Sequence, residues 1–145
     1  MKEELTTHLG DRLAAVSEAC GELTITVLPE QLLAVARQLR DQEAFAFTFL
    51  SDLTGVDCAA GAFEVVYHLL SMKHRSRVRI KVRIDRGIEL PSVAGIWPAA
   101  NWYEREAYDL LGITFAGHPD LKRILTPDGF SGHPLRKEYP LRGEK

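Results

Sequence analysis

The side chains that could do chemistry gather in the last third of the chain. His118 and His133 lie fifteen residues apart, each between a glycine and a proline, in Phe115-Ala-Gly-His-Pro119 and Phe130-Ser-Gly-His-Pro134. A metal site would need further His, Cys or carboxylate ligands converging on them. Asp120 and Asp128 are nearby but lack the spacing of a metal-binding loop. The competing reading, which the missing ligand spacing favours, has each imidazole bonding backbone groups freed by the Gly and Pro turns. Glu104, Glu106 and Asp109 offer carboxylates for acid–base work. On a helix, however, positions 104 and 106 point in different directions, so they do not converge on one reacting centre. Lys73, His74, Arg75, Arg77, Arg79, Lys81 and Arg83 form a basic run. It lacks the aromatic side chains that stack on bases, which leaves two readings: a solvated sheet face, or a docking face for an acidic partner. No Gly-rich phosphate loop, GxSxG or CxxC occurs.

The elements that position these groups follow from periodicity. Asn101–Leu111 predicts an amphipathic helix, with Asn101 as N-cap and Glu104 completing an Asn-x-x-Glu capping pattern. Glu104 and Glu106 sit near the positive end of its dipole, and Arg105 and Asp109 can pair at i,i+4 on its outer face. Tyr103, Ala107, Leu110 and Leu111 form the inward stripe, and Gly112 ends the helix in a left-handed conformation. From Ile113 on, prolines and glycines break every period, yet large apolar residues persist. Two cation pairs, Lys122-Arg123 and Arg136-Lys137, follow the two His-Pro motifs. The segment reads as an ordered, irregular arm laid on a partner.

Upstream, Glu3–Ala19 predicts a helix stopped by Gly21, Leu23–Leu28 a strand, and Pro29 the start of a second helix over Glu30–Asp41. Phe45, Phe47 and Phe49 alternate, so one aromatic side should be buried, and Ser51–Asp57 reads as a turn. Phe63–Ser71 and Arg77–Ile84 are strands joined by a polar hairpin at Met72–Ser76. In the second, Val78, Ile80, Val82 and Ile84 face a core and the four cations face away. Pro91–Trp97 predicts a helical turn. The fold class is α+β: a two-layer domain, α-β-α followed by an antiparallel β meander, a short helix and an extended C-terminal arm. The core spans residues 1–112 and the arm 113–145.

Composition sets the outer limits. The 145 residues are 46% hydrophobic and 26% charged with net charge −2, which excludes disordered, collagen-like and disulfide-scaffold classes. Residues 1–60 carry four Lys+Arg against ten Asp+Glu; residues 61–145 carry fourteen against ten. That polarity suits a face meeting an acidic partner. Cys20 and Cys58 stand far apart, which argues for a reducing compartment and against a zinc or iron–sulfur site. The start, MKEELTTHLG, is unlike a secretory signal, and no apolar run reaches bilayer length, so the expectation is a soluble chain.

Glu104-Arg-Glu106, Asp109-Leu-Leu111, His118, Lys122 and Ile124-Leu125 resemble, in type and spacing, the signature of the 30 kDa subunit of respiratory complex I, the proton-pumping NADH:quinone oxidoreductase. So do Asp52-Leu-Thr-Gly-Val-Asp57, Phe63-Glu-Val-Val-Tyr-His-Leu-Leu-Ser71, Ile96-Trp-Pro-Ala-Ala-Asn-Trp102 and Gly132–Leu141. The likeness covers about residues 45–141. Gly55 and Cys58 depart from it, standing where Ala and an aromatic are expected. The resemblance implies an α+β subunit of the hydrophilic arm with no active site of its own. It carries no flavin, iron–sulfur cluster or metal; flavin and clusters belong to partner subunits. It implies docking beside the large subunit that helps form the quinone site, with no nucleic-acid partner. The partner-facing residues it implies are Glu104, Arg105, Glu106 and Asp109 on the helix, and His118, Lys122, Arg123, His133, Arg136 and Lys137 along the arm. Membrane association, at the cytoplasmic face of a bacterial inner membrane, would run through the complex only. Membrane-bound nickel–iron hydrogenases, formate hydrogenlyase and ferredoxin- or F420-linked quinone reductases use similar subunits and are the alternative parents.

Overall fold

Alternation dictates the centre of the molecule. In the computed structural model, which describes residues 2–58, 61–119, 121 and 133, the strands form one five-stranded sheet. Its strands are β1 (Ala15–Ala19), β2 (Glu22–Thr26), β3 (Phe49–Asp57), β4 (Ala62–Ser71) and β5 (Ser76–Asp85), in the order β1-β2-β5-β4-β3. β4 and β5 form the expected antiparallel hairpin, β3 adds antiparallel to β4, and β2 joins β5 in parallel. The register places Leu23 beside Val78, Ile25 beside Ile80, Ile80 beside Tyr67 and Tyr67 beside Leu53. One face is therefore apolar across four strands, and it is buried. Helices α1 (Lys2–Leu9), α2 (Leu32–Asp41) and α3 (Ala100–Leu111) add Leu5, Leu9, Leu32, Val35, Leu39, Ala107 and Leu111 to the same core. Each large side chain so buried contributes about 2 kcal/mol. The opposite face carries Arg77, Arg79, Lys81 and Arg83, and no described helix covers it.

Several local expectations change. The first helix does not run to Ala19. It ends at Leu9, a 3-10 turn covers Gly10–Arg12, and Ala15–Ala19 is an edge strand paired with β2. Gly10 interrupts the helix, and Cys20 and Gly21, both at positive φ (54° and 77°), form a two-residue hairpin turn. Gly21 thus reverses a strand where it was expected to stop a helix. Ser51–Asp57 is strand, not turn: Leu50 and Leu53 face the core, and a bulge at Ser51 hides the alternation. Phe45 and Phe47 are buried, but Phe49 is half-exposed: it opens β3 on the outward side, with Leu50 pointing into the core. The second helix begins as the sequence indicates, with Pro29 opening a 3-10 turn over Pro29–Gln31.

Asn101 is not the N-cap of α3. The helix begins at Ala100 after Ala99, with no side-chain cap. The turn at 93–98 feeds directly into it: the Ala100 and Asn101 amides donate to Trp97 O (2.9 Å) and Pro98 O (3.1 Å). These bonds satisfy the first amides without a capping side chain. Gly112 ends the helix at φ 80°, as expected. Beyond it the chain is not wholly irregular. A second, two-stranded sheet pairs β6 (Leu90–Pro91) in parallel with β7 (Phe115–Ala116), and Ile113 and Phe115 are buried in the core. The core therefore extends three residues past Gly112.

Candidate functional site

The inward stripe of α3 is Ala100, Glu104, Ala107 and Leu111, at the i, i+4, i+7, i+11 spacing of one helix face. Glu104 is thus a core position occupied by a carboxylate, neither a cap nor a partner of the helix dipole. It is completely buried. Its oxygens accept from the Ser92 hydroxyl (2.6 Å) and the Val93 amide (2.8 Å) in the loop after β6. Burial raises its pKa above the ordinary carboxylate range; the bonds from Ser92 and Val93 and the nearby His118 oppose that rise.

His118 joins this carboxylate from the other side. Its ring is buried, with Nε2 3.0 Å from Asn101 O and 3.9 Å from Glu104 Oε1. Since a carbonyl only accepts, Nε2 carries the proton. From below, the Tyr67 hydroxyl is buried without a hydrogen-bond partner among the described residues. Burial first, and the Glu104 charge second, push its pKa well above the ordinary tyrosine value.

His133 sits at the opposite end of the helix. Its Nδ1 donates to Asp109 O (2.9 Å), and its ring packs edge-on against Tyr108 at 6.2 Å. Asp109 O is one of the last-turn carbonyls that the helix itself leaves unpaired. Both imidazoles therefore bond backbone carbonyls, but on α3 and not in the Gly and Pro turns. Their partners, Asn101 and Asp109, are about 12 Å apart along the helix axis. The two rings do not share a ligand centre, and among the described residues no three His, Cys, Asp or Glu side chains converge.

The remaining signature residues divide. Asp109 is completely buried, not on the outer face of the helix. Arg105 and Glu106 are only half-buried, and the Arg105 guanidinium lies over the ring of Trp102, itself 53% exposed, at 5.5 Å. Lys122, Arg123, Arg136 and Lys137 lie outside the described residues. The sequence reading missed Ser92 and Tyr67, and periodicity carries no signal for either. Ser92 matters only through one carboxylate, and Tyr67 reads as an ordinary core aromatic.

On the open sheet face, cations and acids interleave. Arg79 pairs with Glu22, Glu64 stands opposite Arg83, and Asp52 opposite His68. A groove of about 440 Å³ here is lined by Glu22, Asp52, His68, Arg77 and Arg79, so it presents no single sign of charge. Lys73 and His74 in the β4–β5 hairpin are tied back to Glu43, through its carboxylate (2.8 Å) and its carbonyl (2.7 Å). Among the described residues, no helix is long and apolar enough to cross a membrane.

Relatives of the chain share this architecture. An NADH-quinone oxidoreductase subunit of Azorhizobium caulinodans is 51% identical over 141 residues, covering 96% of this chain and 67% of the relative. Its namesake from Acidithiobacillus ferrooxidans is 49% identical over 154 residues, covering 97% and 76%. Among solved structures, the trypsin-resistant fragment of Nqo5 superimposes with a TM-score of 0.69 at 31% identity, covering 83% of this chain and all of that one. A chain of the archaeal membrane-bound sulfane sulfur reductase superimposes at 0.79 with 25% identity, covering 96% and 85%. A family profile described as "Respiratory-chain NADH dehydrogenase, 30 Kd subunit" matches residues 25–145. The chain belongs to that 30 kDa subunit family of the respiratory-chain NADH dehydrogenase.

Proposed function

We propose that the chain is a non-catalytic assembly subunit of the hydrophilic arm of a proton-translocating NADH:quinone oxidoreductase. In this reading it stands beside the large subunit that helps form the quinone site, with residues 120–145, beyond the core, supplying the docking arm. It holds no flavin, cluster or metal of its own, and meets the cytoplasmic face of a bacterial inner membrane only through its complex. The observation that carries this reading is the fate of Glu104. A catalytic carboxylate must reach a substrate; this one is sealed in the core and engaged by Ser92 and Val93. Arg105 and Trp102, in contrast, lie where a neighbouring protein can reach them, and they are side chains enriched in interface hot spots.

The fold shared with the archaeal sulfur-reducing complex supports a second reading, the equivalent subunit of a related membrane-bound hydrogenase, hydrogenlyase or ferredoxin- or F420-linked reductase. Identity of 51% to an NADH-quinone oxidoreductase subunit against 25% to that chain favours the first. The test is to purify the native complex through a tag on this chain. Flavin- and NADH-binding subunits should co-purify, with NADH:quinone activity in the complex and none in the isolated chain. Turnover of NADH with a soluble quinone by the isolated chain would overturn the proposal.

A further inference from the structure

The chain leaves its core through a short, heavily tied passage. After α3, Phe115 is buried, and β7 is held to β6 by two donors, Leu90 N to Thr114 O (3.0 Å) and Ser92 N to Ala116 O (2.8 Å). A two-residue strand pair is marginal alone. Gly117, at φ 81°, then turns the backbone so that the His118 ring re-enters the protein. There it meets Asn101 O and the Glu104 carboxylate. Glu104 in turn gathers the Ser92 hydroxyl and the Val93 amide, and Ser92 Oγ also accepts from the Ala94 amide (3.1 Å). One buried carboxylate therefore joins α3, the loop after β6 and the exit segment. Beneath them lies the Tyr67 hydroxyl, with no hydrogen-bond partner among the described residues. An apolar side chain at position 104 would fill the core beneath α3 but could not hold Ser92, Val93 or His118.

We propose that Glu104 and His118 form a buried latch that fixes the direction in which the chain leaves its domain after Phe115. Polar groups suit this role. Apolar packing tolerates sliding, whereas directed hydrogen bonds to Asn101 O, Ser92 and Val93 permit one path. If the segment lifts away, those groups exchange their partners for water together, so the latch opens as a unit. That the fixed direction aims the C-terminal segment at a partner subunit rests on the proposed place in the complex; the latch itself does not.

The test is amide hydrogen exchange on the full chain. The reporters are the Leu90 and Ser92 amides, which donate across β6–β7, with Val65 and Ile80 in the central sheet as the control for global opening. His118→Leu and Glu104→Met are each expected to speed exchange at Leu90 and Ser92 by about tenfold or more beyond any rise at Val65 and Ile80. The double variant should exchange no faster than the quicker single variant, because the two side chains act together. Effects that multiply in the double variant, or reporter exchange that rises only in step with the control amides, would overturn the latch. Should either variant fail to fold, Ser92→Ala removes one tie to Glu104. It should speed the same amides about threefold, and an unchanged rate would overturn the latch equally. Recovery of His118→Leu with partner subunits is a separate measurement. A normal yield beside a tenfold rise in exchange would leave the latch standing and remove its role in assembly.

Discussion

The β4–β5 hairpin and the α3–exit region are both rich in charge, yet charge does opposite things in them. On β5 the four cations alternate with Val78, Ile80, Val82 and Ile84 and stay on the open face. On α3 the charges do not follow the amphipathic rule: Glu104 and Asp109 are sealed inside while Trp102 is half-exposed. The hairpin is built by a repeating pattern, in which any cation of the row is replaceable. The α3 region is built by individual partners, so each polar residue has its own role. The lesson is that the polarity of α3 is inverted at two residues of the signature, Glu104 and Asp109.

The sharpest way to break this comparison is at the hairpin core. Val82→Asp buries a carboxylate without a partner and should abolish the cooperative thermal transition, a loss of about 4–5 kcal/mol or more. Arg79→Asp on the same strand should leave the domain folded, within about 1 kcal/mol of the parent. Equal melting shifts would contradict the assignment of faces. On α3 the rule reverses, and removing a charge should hurt. Glu104→Ala leaves the Val93 amide and Ser92 hydroxyl without their acceptor and should cost roughly 3 kcal/mol in denaturant unfolding. Glu106→Ala, on a different face of the same helix, should change stability by less than about 0.5 kcal/mol.

A smaller effect tests the packing of α3 and the exit segment on β3, the strand beside the hairpin. A Cβ at Gly55 on β3 would stand 2.6 Å from Leu111 Cδ1 and 2.9 Å from Ile113 Cδ1. Gly55→Ala should therefore destabilise by about 1 kcal/mol, and less in a Leu111→Val background where one of those side-chain ends is shortened. The smallest effect concerns pH. Burial raises the Glu104 pKa in the folded chain. A raised folded pKa means stability that is present below the unfolded value and lost as pH rises through the folded one. The melting temperature of Glu104→Gln relative to the parent should therefore climb as pH rises from the ordinary carboxylate range through the raised pKa. A difference independent of pH would show that Glu104 does not titrate in that window.

What was legible in the sequence follows the same division. β4, β5, α2 and the left-handed end of α3 at Gly112 are set by local pattern and were readable from it. Ala15–Ala19 was not. Its helical spacing is real, but pairing with β2 through the Cys20-Gly21 turn outweighs it. The Ser51 bulge shifts the register of β3 and so erases the alternation that would have marked a strand. Glu104 looked like a capping residue because Asn-x-x-Glu is a common helix start. The turn at 93–98 supplies the hydrogen bonds for the first amides, so no cap is needed, and Glu104 lies on the same face as Ala107 and Leu111. The signature therefore identified the family from residue types alone, while the hydrogen-bond partners of its members, Ser92, Val93 and the α3 carbonyls, depend on tertiary packing that spacing does not reveal.

The central proposal is that residues up to the latch fold on their own and that assembly of the complex requires residues 120–145. It is tested most directly by a chain cut after Pro119, which keeps His118 and Glu104 together, expressed with an affinity tag in a host lacking the native subunit. The truncated chain should melt cooperatively within a few degrees of the full chain, retrieve no flavin- or iron–sulfur-bearing subunits, and leave membranes without NADH:quinone activity that the full chain restores. Assembly of an active complex around the truncated chain would contradict the account.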